Sequence, residues 1–79
     1  MKNCYSQNEE ALQFILAFER NVEQGIVLDI QELVRLFEDS PYNKEQFDTY
    51  VKPKTGSIWY ALKRSGKWTA VKKGTYRKN

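Results

Sequence analysis

The sequence predicts a mainly α-helical domain closed by a small β-hairpin. Three observations predict it: apolar residues recurring with helical period through the first two-thirds, capping patterns that open each helical run, and a final stretch where strand-forming residues flank a Lys-Lys-Gly turn. At 79 residues the chain holds one core. Folding a chain of this mass leaves about 5,000 Å² exposed from about 13,600 Å² extended, too little buried volume for two cores or an enclosed large substrate.

The first helix opens at Ser6-Gln7-Asn8-Glu9, where Ser6 can accept from the Glu9 N–H and the Glu9 side chain can return the bond. Ala11, Phe14, Ile15, Phe18 and Val22 follow the i, i+3, i+4, i+7 rhythm, with Leu12 and Leu16 widening the stripe. The helix is expected over residues 6–24, with Gly25 as its left-handed C-terminal residue. Ile26-Val27-Leu28 suits a short edge strand. Asp29-Ile30-Gln31-Glu32 repeats the capping box and opens a second helix with Ile30, Leu33, Val34 and Phe37 inward, ending near Asp39 before Ser40-Pro41. A third box at Asn43-Lys44-Glu45-Gln46 predicts a short helix burying Phe47, Tyr50 and Val51. Lys52 to Gly56 reads as a turn.

Ser57 to Ser65 carries two periods. With period two, Ile58-Trp59-Tyr60 makes a strand turned at Ser65-Gly66. With period 3.6, Ile58, Ala61, Leu62 and Ser65 share an inner face, Ser57 is the N-cap, Lys63 and Arg64 complement the C-terminal dipole, and Gly66 stops the helix. The helix is favoured. Trp68 to Val71 then reads as a strand, Lys72-Lys73-Gly74 as the turn and Thr75-Tyr76-Arg77 as the return. Trp59 and Trp68 are expected to pack under this hairpin, with stacking on nucleobases as the alternative.

Composition excludes most catalytic designs. There is no His, the commonest general base and metal ligand. The single Cys4 makes neither an internal disulfide nor a tetrahedral zinc site, and no nucleophile–base pair or phosphate-cradling glycine loop is present. A non-enzymatic protein without metal or cofactor is expected. The longest apolar run of the first helix, Phe14 to Phe18, is far too short for a membrane span, and cytoplasmic residence is the natural expectation.

The net charge of +3 conceals a polarity. Residues 1–48 hold ten acids and four bases, whereas residues 49–79 hold nine bases and no acid, so the halves carry −6 and +9. Such asymmetry concerns partners rather than fold.

Helix, short helix, turn, helix and basic hairpin is the order of a winged helix-turn-helix domain. The stretch from Ile58-Trp59-Tyr60-Ala61-Leu62 through Gly66, Val71, Lys72-Lys73-Gly74 and Tyr76 resembles the recognition helix and wing of that superfamily. The resemblance covers residues 29–78 and leaves residues 6–24 as an extra N-terminal helix, a common dimer contact in such proteins. A weaker similarity, of Gly56-Ser57-Ile58 with Gly66-Lys67-Trp68 to the small sheet domain of tyrosine integrases, fails on spacing and on the preceding helices. The winged-helix resemblance implies double-stranded DNA as partner, with Tyr60, Lys63, Arg64 and Lys67 on the groove-facing side of helix 57–65. Lys54, Thr55 and Ser57 would stand at its phosphate-facing start, and Lys72, Lys73 and Arg77 on the wing. A regulator or accessory factor in transcription, replication or recombination is the leading expectation. The alternative is a small phage- or mobile-element-type inhibitor that binds a partner protein through its acidic helical face. Ten acids facing away from DNA would also orient the domain.

Overall fold

The computed structural model describes residues 5–79; Cys4 lies outside the described residues. Three helices, α1 (Gln7–Glu19), α2 (Ile30–Glu38) and α3 (Lys54–Ser65), and three strands, β1 (Val27–Asp29), β2 (Trp68–Lys72) and β3 (Thr75–Lys78), follow in the order α1-β1-α2-α3-β2-β3. A 3₁₀ turn over Glu45–Thr49 precedes α3. The sheet is antiparallel with β3 between β1 and β2. This arrangement is compatible with a winged-helix architecture.

Helices α1 and α2 start at side chains that bond the backbone N–H groups of their first turns. Ser6 Oγ accepts from Glu9 N–H at 3.2 Å, and Glu32 Oε1 accepts from Asp29 N–H at 3.1 Å. The expected third box does not form. Asn43 Nδ2 reaches back to the Glu38 carbonyl at 3.4 Å, so Asn43 serves the end of α2 instead of capping a helix, and only the 3₁₀ turn follows. Phe47 is buried as expected, but the backbone becomes extended at Tyr50 and leaves Val51 fully exposed, contrary to expectation.

Helix α1 ends at Glu19, well short of Gln24. Asn21 closes it: its backbone N–H donates to Phe18 O at 3.0 Å and its side chain to Ala17 O at 3.3 Å. An Asn that satisfies terminal carbonyls in this way competes with helix continuation. Gly25, the expected helix stop, keeps its positive φ of 93° but belongs to the entry into the sheet, donating to Lys78 O at 2.8 Å.

Residues 57–65 are helical, and α3 starts one turn earlier than its spacing predicted. Pro53, at φ −70° and ψ 148°, is the N-cap. The turn predicted over Lys52–Gly56 therefore gives way to helix from Lys54, because proline restricts the residue before it and not those after. Gly66 ends the helix in the left-handed region at φ 74°.

One apolar cluster joins every layer: Ala11, Phe14 and Ile15 of α1, Leu33 and Phe37 of α2, Ile58, Ala61 and Leu62 of α3, and Trp68 and Tyr76 of the sheet. Phe37 meets Phe14 edge-on at 5.6 Å and stacks on Phe47 at 6.4 Å. Helix α1 is thus part of the core, packed along α3, rather than an addition to a core of residues 29–78. Leu12, Leu16 and Phe18, the apolar residues of α1 expected to favour self-association, are all partly buried, Leu12 and Phe18 against this same cluster.

Polar bonds fix α1 to α3 at both ends. Gln7 Nε2 donates to Ser57 Oγ at 3.0 Å and to the Lys52 carbonyl at 3.0 Å, while Ser57 Oγ donates to Asn8 Oδ1 at 2.7 Å. At the other end Glu19 Oε1 accepts from Ser65 Oγ and Trp68 Nε1. No helix among the described residues is long and apolar enough to cross a membrane.

Candidate nucleic-acid interface

The sequence-predicted site residues divide into three groups. Lys63 and Arg64 stand exposed on the last turn of α3, Lys67 on the bend after it, and Lys72 and Lys73 at the tip of the hairpin. Tyr60 is half-buried beside them. Gly66 ends α3 and β2 runs back beside it, so Lys67 follows directly on the last turn of α3, while Lys72 and Lys73 come level with Thr55 and Gly56 at its start. On α3 the helical spacing that turns Ile58, Ala61 and Leu62 inward leaves Lys63 and Arg64 outward.

Arg77 belongs elsewhere. Along β3 it alternates with Tyr76, which is buried with the core, and it pairs with Thr69 and Val27. Alternation places Arg77 on the outer face of the sheet, away from α3.

The start of α3 also differs from expectation. Ser57 is fully buried and committed to Gln7 and Asn8, so it offers no hydroxyl to an external phosphate and is not the N-cap. Lys54 is bound inward, with Nζ 2.8 Å from Asp48 Oδ1 and 3.3 Å from Glu38 Oε2. Its pKa is raised above the ordinary value, chiefly by the hydrogen bond to Asp48, against an opposing effect of burial, with the Glu38 bond adding to the rise. Lys54 is a strut between α3 and the acidic half. Thr55, half-buried in the same turn, faces a cleft between α3 and the hairpin.

That cleft contains the residue the sequence reasoning misplaced. Trp68 is buried under the hairpin as expected, stacked at 6.2 Å on Phe18, but Trp59 is 50% exposed. Lys63 Nζ lies 5.0 Å from the Trp59 ring centroid. The signal was present: Thr55, Trp59 and Lys63 recur at i, i+4 and i+8, a stripe distinct from the inward set.

The hairpin is shaped by a bulge. Ala70 pairs with Tyr76 and Lys72 with Thr75, so Val71 is the extra residue, which twists the tip. The tip is held against the start of α2, where Ile30 N–H donates to Gly74 O at 2.8 Å. Both ion pairs among the described residues use Lys54, and no acid occurs after Asp48, so the carboxylates that come near Lys63, Arg64, Lys67, Lys72 and Lys73 are contributed by the first half: Glu19 at Ser65 and Trp68, and Asp29 paired with Thr75 beside the hairpin turn. Among the described residues no cluster of carboxylate or thiol side chains could hold a metal ion.

No family model matches the chain, and no curated protein or solved structure matches it.

Proposed function

We propose that this is a non-enzymatic, winged-helix DNA-binding protein that sets α3 into the major groove and its basic hairpin against the flanking backbone. One observation carries the reading: Lys63, Arg64, Lys67, Lys72 and Lys73 are exposed cations on α3, the following bend and the hairpin tip, and the chain after Asp48 adds no acid to them. Arg64 and Lys63 have the reach for guanine edges and phosphates, and Lys67, Lys72 and Lys73 act as point charges on the backbone. The acidic first half turns the opposite potential outward and orients approach. A role as regulator or accessory factor follows from such binding.

Salt dependence tests this directly. With roughly five phosphates neutralised, the logarithm of the duplex association constant falls with the logarithm of salt at a slope of about −4 to −5. The double variant K63A/R64A lowers that slope by about two. Binding insensitive to salt overturns the proposal.

A second reading has its own observation. Leu36 and Val27 are exposed, and Leu36 lines a shallow hollow with Leu28, Glu32, Arg35 and Asp39, a surface suited to a protein partner. Charge reversal at Asp39 tests it best. Glu32 closes the start of α2 and Glu38 holds Lys54, so changes there also disturb the fold.

A further inference from the structure

We infer that the cleft between α3 and the hairpin receives one unstacked nucleobase, so that the protein prefers DNA with an unpaired or single-stranded segment over uninterrupted duplex; this rests on the nucleic-acid reading above. Two clefts of about 300 and 550 Å³ flank Trp59 and share it with Ala70 and Tyr76. Their common surface is apolar: an indole on one side, and a methyl group and a phenol ring on the other. Lys63 stands at the rim of one cleft, and Lys72 and Lys73 at the rim of the other. An apolar slot edged with cations and free of carboxylates complements a ligand that joins a flat ring to an anionic backbone.

Size and chemistry agree on that occupant. The larger cleft has room for a base with its sugar, and Trp59 offers the π-face that every base can use without regard to sequence. Intact duplex has no such group to give, because its bases are stacked and paired. A half-exposed Trp in the middle of a basic face adds little to duplex binding by charge. Its position is explained by a partner with a free ring. Lys63 at 5.0 Å from the indole stays close to the slot while its charge reaches the backbone.

The test compares three labelled probes by fluorescence anisotropy at one salt concentration: a blunt duplex, the same duplex with one extrahelical thymine, and the same duplex with a five-nucleotide 3′ overhang. Wild-type protein binds the two interrupted probes about ten-fold tighter than the blunt one and loses tryptophan emission on doing so. In W59A the ratio falls to about one, with fold checked by circular dichroism, and W59F keeps part of it. Equal affinity of wild-type protein for all three probes overturns the inference while leaving duplex binding standing. So does a ratio that survives in W59A. Failure to bind any probe overturns the nucleic-acid reading itself, and the inference with it.

Discussion

The indole N–H of Trp68 donates to Glu19 Oε1 at 3.0 Å, joining the last turn of α1 to the first residue of β2. The same oxygen accepts from Ser65 Oγ at 2.9 Å, so one carboxylate holds the end of α3 and the root of the hairpin together. Charge-assisted bonds of this kind are the stronger sort, and here they set the angle between the helix and the strand that carry the proposed interface.

Replacing Glu19 by Ala removes both bonds and leaves the Trp68 N–H without its acceptor. A loss of about 2 kcal/mol in unfolding free energy follows, read by urea titration. E19Q, which retains a carbonyl acceptor, loses less. Unchanged urea midpoints in both variants count against the role given to this carboxylate.

The Gln7–Ser57 bond is buried and joins residues far apart in the chain. Singly, Q7A and S57A each cost about 1 to 2 kcal/mol because a polar partner is left behind in the core. Together they cost less than the sum, and a double-mutant cycle measures the coupling. Since Ser57 is shielded from solvent, S57A leaves DNA affinity as it was at temperatures where the protein is folded.

Stability falls on the alkaline side. Lys54 has its folded pKa raised above 10.5, chiefly through the hydrogen bond from its ammonium to Asp48, so its contribution is complete below 10.5 and is lost as pH rises through the folded value. Tyr76 is raised above 10.0 by burial, which favours its neutral form and gives the same sign. Urea midpoints therefore decline above about pH 10. K54M and Y76F each flatten that decline; a profile that K54M leaves as steep as wild type refutes the Lys54 share.

Gly66 occupies the left-handed region, and a Cβ there would meet no neighbouring atom. The cost of G66A is therefore conformational alone, about 1 kcal/mol. G66N recovers part of it, since Asn tolerates this region better. A thermal melt of the three proteins ranks them wild type, G66N, G66A.

The elements legible in the sequence were those with local causes. Helix α2 was bounded correctly because Asp29, Glu32 and the Ser40-Pro41 break act within a few residues of the ends they set. The preference for helix over strand at residues 57–65 rested on the inward spacing of Ile58, Ala61 and Leu62, which the core uses. What escaped were choices made at a distance. Asn43 matched a capping pattern but spent its amide on the end of α2. Ser57 looked like a cap because its burial depends on Gln7, distant in the chain. Lys54 looked like a free cation because its carboxylates arrive from α2 and from the 3₁₀ turn. Trp59 looked like core because its exposure depends on the path of a bulged hairpin.

The placing of β3 in the middle of the sheet governs how the protein comes apart. Strands β1 and β2 have no ladder with each other, so each finds its backbone partners only through β3. Closing β2 onto β3 is a local event across a tight turn, whereas docking β1 requires α2 and α3, which lie between the two strands in the chain, to be in place. The basic hairpin is accordingly no detachable arm. Opening it frees β1 as well as Trp68 and Tyr76, and the proposed interface shares a single unfolding transition with the core.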